Sequence, residues 1–186
     1  MSDEARPRAE ARRTPRPVAV ASGLLFAISV MMAVWGASTL ARADDFRAAT
    51  DHFTASHPDF DVTGWFPFAF VTAAVVSVVF AVAFSALGLF ILRGVPMSQV
   101  VTVLVGCAAL PFVYLAYEDY GTPYLFPGTL SGAAGPMRAL TPWRYTGWYH
   151  NLTIGLGALI MTGLVLVIAL LVLPASESHF QRHRMS

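Results

Sequence analysis

Four stretches of the chain run apolar without a single Asp, Glu, Arg or Lys: Pro17 to Leu40, Pro67 to Leu92, Gln99 to Tyr117 and Trp148 to Leu173. A hydrocarbon core of about 30 Å needs about 20 helical residues rising ~1.5 Å each, so every stretch has roughly the length to cross one. No water is present there to satisfy an unpaired N–H or C=O, and the runs must therefore be helical. The pattern predicts an all-α membrane protein, a four-helix transmembrane bundle over residues 17–174. It is flanked by an N-terminal tail, residues 1–16, expected to be disordered, and a C-terminal tail, residues 175–186.

Between the first two runs, Asp44 and Asp45 favour a helix start, and Phe46, Ala49 and Phe53 recur at i, i+3 and i+7 as one stripe of a short amphipathic helix. The second long connection, Glu118 to Gly147, sets Gly121, Pro123, Pro127, Gly128, Gly132, Gly135, Pro136 and Pro142 among Tyr120, Tyr124, Phe126, Trp143 and Tyr145. Gly and Pro at that density deny it a long helix. Aromatic rings at that density argue against a freely solvated linker. A compact aromatic cap over one mouth of the bundle is expected.

Composition agrees with the pattern. The 186 residues are 56% hydrophobic and 12% charged, with a mean hydropathy of +0.60, whereas soluble domains are about a quarter charged. A net charge of +1, with no basic stripe, makes nucleic acid an unsuitable partner. All twelve basic residues are Arg, a bias that, with heavy Ala, Val and Gly usage, fits a bacterial genome rich in GC. Arg6, Arg8, Arg12, Arg13, Arg16, Arg93, Arg182 and Arg184 fall on one side of the spans, and Arg42, Arg47, Arg138 and Arg144 on the other. The positive-inside rule puts both termini in the cytoplasm and both long loops outside. Ala41-Arg42-Ala43 resembles a signal-peptide cleavage site, but a span from Pro17 to Leu40 exceeds the about 7 to 15 residues of a signal core, so it is read as retained. Cys107, the one cysteine, lies in an apolar run; it excludes an intrachain disulfide and reads as a small buried hydrophobe.

Helices in lipid associate through close approach at small residues. Ala73, Ser77, Ala81 and Ser85, at i+4 steps, are the expected packing ribbon of the second span, with Val78 read as lying opposite. Ser29, Ala33 and Ala37 form a similar row in the first span, and Gly147, Asn151 and Gly155 in the fourth, beside a second row of Thr153 and Gly157. Pro111 is expected to kink or thin the third.

Intramembrane chemistry shows itself as ionisable residues at depth, and the four runs hold none at their centres. That argues against a proton relay, a voltage sensor or an ion-coupled transporter, and the absence of facing histidines argues against haem. His52, His57 and His150, with Asp51, Glu118 and Asp119 nearby, match no metal-ligand spacing, so no metal, cofactor or catalytic residue is assigned. His179 and His183 read as part of a solvated tail. The candidate interaction surface is Glu118, Asp119, Tyr120, Tyr124, Arg138, Trp143, Arg144 and His150, on and beside the cap.

At Leu87-Gly-Leu-Phe-Ile-Leu-Arg-Gly94, with a short turn into Val100-Val-Thr-Val-Leu, and again at Leu173-Pro-Ala-Ser with a basic tail, the chain resembles small four-span actinobacterial integral membrane proteins, mostly uncharacterised. The resemblance implies topology and no activity. The expectation is a non-catalytic accessory, scaffolding or assembly subunit whose partners are the lipid bilayer and another membrane protein or itself. The rival expectation is a small enzyme, or a protein binding lipid, quinone or metal, with its site under the cap.

Overall fold

The computed structural model describes residues 14–56, 65–95, 97–118, 148–174, 176 and 179–180. Five helices organise them: α1 (Arg16–Ala41), α2 (Ala43–Ser56), α3 (Trp65–Leu92), α4 (Ser98–Glu118) and α5 (Trp148–Val172). No strand occurs among the described residues. By length and composition three segments can cross a membrane, Arg16–Ala41, Val71–Leu92 and Asn151–Val172, and Ser98–Tyr114 is a shorter apolar helical stretch. The fold is an all-helical bundle of the kind membrane proteins use. α4 runs through Pro111 without interruption. Residues 119–147, and with them the expected cap, lie outside the described residues.

α1 is the central element. It packs most extensively on α3 and next on α5, while α4 packs on α5 and less closely on α3. Its contact with α3 has a regular register. Ser22 meets Gly88, Ser29 meets Ala81, and Gly36 lies against Ala74, where a Cβ on the glycine would stand 3.1 Å from the Ala74 carbonyl oxygen. Contacts advance by seven residues on α1 and retreat by seven on α3, so the two helices run antiparallel. A seven-residue repeat of small side chains on both partners allows the close backbone approach of a coiled-coil seam.

The other side of α1 meets α5 where Gly163 sits 3.1 Å, measured from a notional Cβ, from Ile28 Cδ1. α4 and α5 are antiparallel, because Gln99 reaches Leu171 near one end and Gly106 faces Leu164 and Ile168 further along. Trp35, Phe80 and Phe112 bring α1, α3 and α4 together, with ring centroids 6.5 Å apart for Trp35–Phe112 and 5.6 Å for Phe80–Phe112. Phe80 also stacks on the fully buried Phe84 at 5.9 Å.

Large aliphatic side chains face outward along all four apolar helices, among them Val30, Val79, Val82, Leu104, Leu159 and Val165. Soluble monomers rarely expose contiguous apolar surface on this scale; lipid tails would cover it. Small polar residues occupy the inside, including Ser22, Ser29, Ser77, Thr102 and Thr153.

The turn from α3 to α4 is tightly specified. Val95 N–H donates to Phe90 C=O at 3.1 Å and Gly94 N–H to Ile91 C=O at 3.0 Å, the Schellman pairing, with Gly94 at φ 69°. Ser98 Oγ then donates to Val95 C=O at 2.6 Å as α4 begins. Across the bundle, α5 ends with its carbonyls occupied: Ser176 Oγ donates to Leu170, Gln99 Nε2 to Leu171 and Ser176 N–H to Leu173.

Several expectations need correction. Ala33 and Ala37 are exposed, as are Asn151 and Gly155, and a Cβ on Gly155 would meet nothing within 4 Å; Thr153 and Gly157 carry the inward row instead. Cys107 is exposed on the outer face of α4, not buried. Val78 is not opposite Ala81: three residues back is a rotation of only about 60°, and its Cγ2 would lie 3.4 Å from a Cβ on Gly36. In the tail, His179 and Phe180 are buried against the bundle, with their rings edge to face at 5.4 Å; His183 lies outside the described residues.

Two stability predictions follow from the seam and the turn. Ala81→Leu should overpack α1 against α3 and destabilise by roughly 1 to 3 kcal/mol, whereas Val79→Leu, at a position 60% exposed, should change little; equal melting temperatures in detergent would refute the seam. Gly94→Ala forces a Cβ into the left-handed region and should lose about 1 to 2 kcal/mol, read in the same melting experiment.

Candidate functional site

Of the expected interaction surface, Asp119, Tyr120, Tyr124, Arg138, Trp143 and Arg144 lie outside the described residues. Glu118 is the last residue of α4 and His150 belongs to the first turn of α5, their side chains also outside the described set. On α2, Asp44, Asp45, Arg47, Asp51 and His52 are exposed, and the side chains of Phe46, Ala49 and Phe53 are not described. Arg42 Nε pairs with Asp45 Oδ2 at 3.3 Å across one turn, a surface pair that orients more than it stabilises. Asp44 and Asp45 occupy the first turn of α2, where carboxylates complement the helix dipole. α2 packs mainly on α3. Among the described residues, no three His, Cys, Asp or Glu side chains gather as a metal site.

What the described residues do bring together is a line of hydroxyls in the α1–α3 seam. Ser22 Oγ donates to Gly88 C=O at 2.9 Å, across two helices whose close approach Gly88 itself permits, since a Cβ there would stand 3.3 Å from the Phe26 ring. Seven residues on, Ser29 Oγ lies 2.6 Å from both Ala81 C=O and Ser85 Oγ. A hydroxyl has one proton, so Ser29 donating to Ala81 leaves Ser85 as donor to Ser29. The result is a two-step relay that ends on backbone. Ser77 Oγ, further along α3, donates to Ala73 C=O of its own helix at 2.8 Å.

The expected ribbon on α3 is therefore placed residue by residue. Ser77 and Ala81 are buried, and Ala73 and Ser85 are half-buried at its margins. Ser22, Gly36, Gly88 and Gly163 were not singled out from the sequence, although Ser22, Ser29 and Gly36 recur every seven residues and Ala74, Ala81 and Gly88 do the same. A search at seven-residue steps finds both sets. Gln99 was also missed, and nothing in its surroundings marks it beyond being an uncharged amide at a helix start.

Chemically, this arrangement joins helices. The bonds across the seam end, directly or through the Ser29 hydroxyl, on carbonyls already in a helical ladder, and none of these hydroxyls is hydrogen-bonded to a basic or acidic side chain among the described residues. Comparison with family models, with curated proteins and with solved structures finds no match to this chain.

The relay can be tested by a double-mutant cycle on Ser29→Ala and Ser85→Ala. Polar contacts between membrane helices average about 0.6 kcal/mol and reach roughly 1.7, and a coupling in that range is expected from unfolding in mixed detergent. Strict additivity would show that the two hydroxyls act separately.

Proposed function

We propose that this chain is a four-span integral membrane protein of a bacterial cytoplasmic membrane, with both termini cytoplasmic, acting as a non-catalytic accessory, scaffolding or assembly subunit of a membrane complex. The observation that carries the reading is the use made of interior hydroxyls. Ser22, Ser29, Ser77, Ser85 and Thr102 are bonded to backbone carbonyls or to each other. Polar groups used in this way hold helices together.

Other features support the parts of the proposal. The start of α1, the end of α3, the start of α4 and the end of α5 share one end of the bundle, and eight of the twelve arginines lie in the segments attached to that end. The positive-inside rule makes it the cytoplasmic one. Retention of the first span is supported by α1 supplying the surface on which α3 and α5 both pack. The opposite end would then present α2 and the aromatic segment from Glu118 to His150 to the outside, as the partner surface.

Two experiments test this. Ser2→Cys and Ser186→Cys, each on a Cys107→Ser background, should resist an impermeant thiol reagent in intact cells and react after lysis; labelling from outside would reverse the topology. Purified in mild detergent, the chain should retain a stable protein partner, and Trp143→Ala should abolish that retention without lowering the melting temperature of the bundle, because aromatic anchors carry much of an interface's energy. A bound quinone or metal and no partner would replace this reading with that of a ligand-binding protein.

A further inference from the structure

We propose that the end of the bundle carrying Arg16 and Arg93 is a binding surface for the headgroups of anionic phospholipids. The antiparallel register sets the two residues at the same end of the bundle and near one level along its axis. From the Ser22–Gly88 contact, α1 runs six residues back to Arg16 and α3 five residues on to Arg93, rises of about 9 and 7.5 Å. Arg16, the first residue of α1, and Arg93, the residue that follows α3, thus stand at nearly one level at the end of the two helices that pack most closely. Both are exposed, and neither has an ion pair among the described residues. The Schellman turn at Gly94 holds the backbone of Arg93 in place.

Exposed apolar side chains surround this level: Val20 on α1, Leu92 closing α3, and Val95 and Met97 in the turn. Guanidinium groups at the level of an apolar rim match phosphodiester headgroups with acyl chains below. A free anion would make no use of the rim.

Charge complementarity selects the class of lipid. The segments attached to this end hold eight arginines against four acidic residues, Asp3, Glu4, Glu10 and Glu177, and the opposite end holds four arginines against seven acidic residues. The first end carries net positive charge and the second net negative charge, so an anionic headgroup is attracted at one and repelled at the other. Attraction of this kind acts within about a Debye length of the surface.

The inference rests on the membrane-spanning reading, and its test separates the two. The full chain in detergent micelles is given phosphatidylglycerol or phosphatidylcholine with identical acyl chains, and retained lipid is counted by native mass spectrometry. Phosphatidylglycerol should be retained in preference. Arg16→Gln with Arg93→Gln should weaken its binding at least about tenfold, Arg16→Lys with Arg93→Lys should keep most of it, and Arg42→Gln with Arg47→Gln should leave it unchanged, all at unaltered melting temperature. Equal retention of the two lipids would overturn the proposal and leave the membrane reading standing. So would undiminished binding to the Arg16/Arg93 glutamine variant, an equal loss in the Arg42/Arg47 variant, or displacement of the lipid by inorganic phosphate. Retention of neither lipid would overturn the proposal alone, and a chain that stays monodisperse without detergent would overturn both.

Discussion

The close approach of α1 and α3 is the contact on which the other helix positions depend. Ser22, Ser29 and Gly36 face Gly88, Ala81 and Ala74 at seven-residue intervals, so the facing residues at those levels are all glycine, alanine or serine. In lipid, apolar side chains gain little by leaving the solvent, so association rests on dense packing and on hydrogen bonds between helices. Both are present in this seam: the small residues admit the approach, and the approach brings Ser22 and Ser29 within reach of carbonyls on α3. Once α1 is fixed to α3, its remaining buried face, with Ile28 at Gly163, receives α5, and α5 receives α4.

The distribution of polarity follows from the same constraint. Val30, Val79, Val82, Leu104 and Val165 point outward, where hydrocarbon would solvate them, while serines and threonines point inward, where a carbonyl can accept their proton. A soluble bundle would invert this arrangement, because water would drive the large aliphatic groups inside. The protons of Ser22, Ser29, Ser77 and Thr102 are committed to backbone oxygens. The aromatic group of Trp35, Phe80, Phe84 and Phe112 fills the width that the small residues leave open between α1, α3 and α4.

How far the sequence could be read depended on which physical signal each feature leaves. Helix positions follow from hydropathy summed over twenty or so residues, and all four apolar helices start and stop within two residues of the runs Pro17–Leu40, Pro67–Leu92, Gln99–Tyr117 and Trp148–Leu173. Helix faces leave a weaker trace, because Val toward lipid and Val toward a neighbour look alike in sequence. The four-residue step used to find seams advances about 40° around a helix at each repeat, whereas a seven-residue step drifts only about 20° the other way and a left-handed supercoil removes that drift. This is why Ser29 is buried while Ala33 and Ala37 are exposed, and why Ala81 is central while Ala73 and Ser85 sit at the margins. Cys107 was misread for a related reason: an apolar run identifies the span and says nothing about which side of it meets protein. Of the candidate site, hydropathy could mark the aromatic segment from Glu118 to His150 as unusual but could not assign it a partner, since partner choice rests on contacts that no local pattern encodes.

The two ends of the bundle are built differently, and the difference bears on where function is placed. At the arginine-rich end, the Gly94 turn occupies terminal carbonyls of α3, Gln99 and Ser176 occupy those of α5, Ser98 bonds the turn at Val95, and Phe180 is part of the hydrophobic core. That end is closed by the chain itself. The α3–α4 connection there spans only Arg93 to Met97, so its helices have little freedom to separate. At the other end the connections are long, α2 and then the stretch between α4 and α5, and they hold the greater share of the acidic residues and many of the aromatic ones. Under the proposed function, recognition is assigned to the end with the long, aromatic, acidic connections and anchoring to the closed one. The closed, positively charged end can therefore interact with the membrane surface without disturbing the seam that holds the helices, because that contact involves the outer sides of Arg16 and Arg93 and none of the residues buried between α1 and α3.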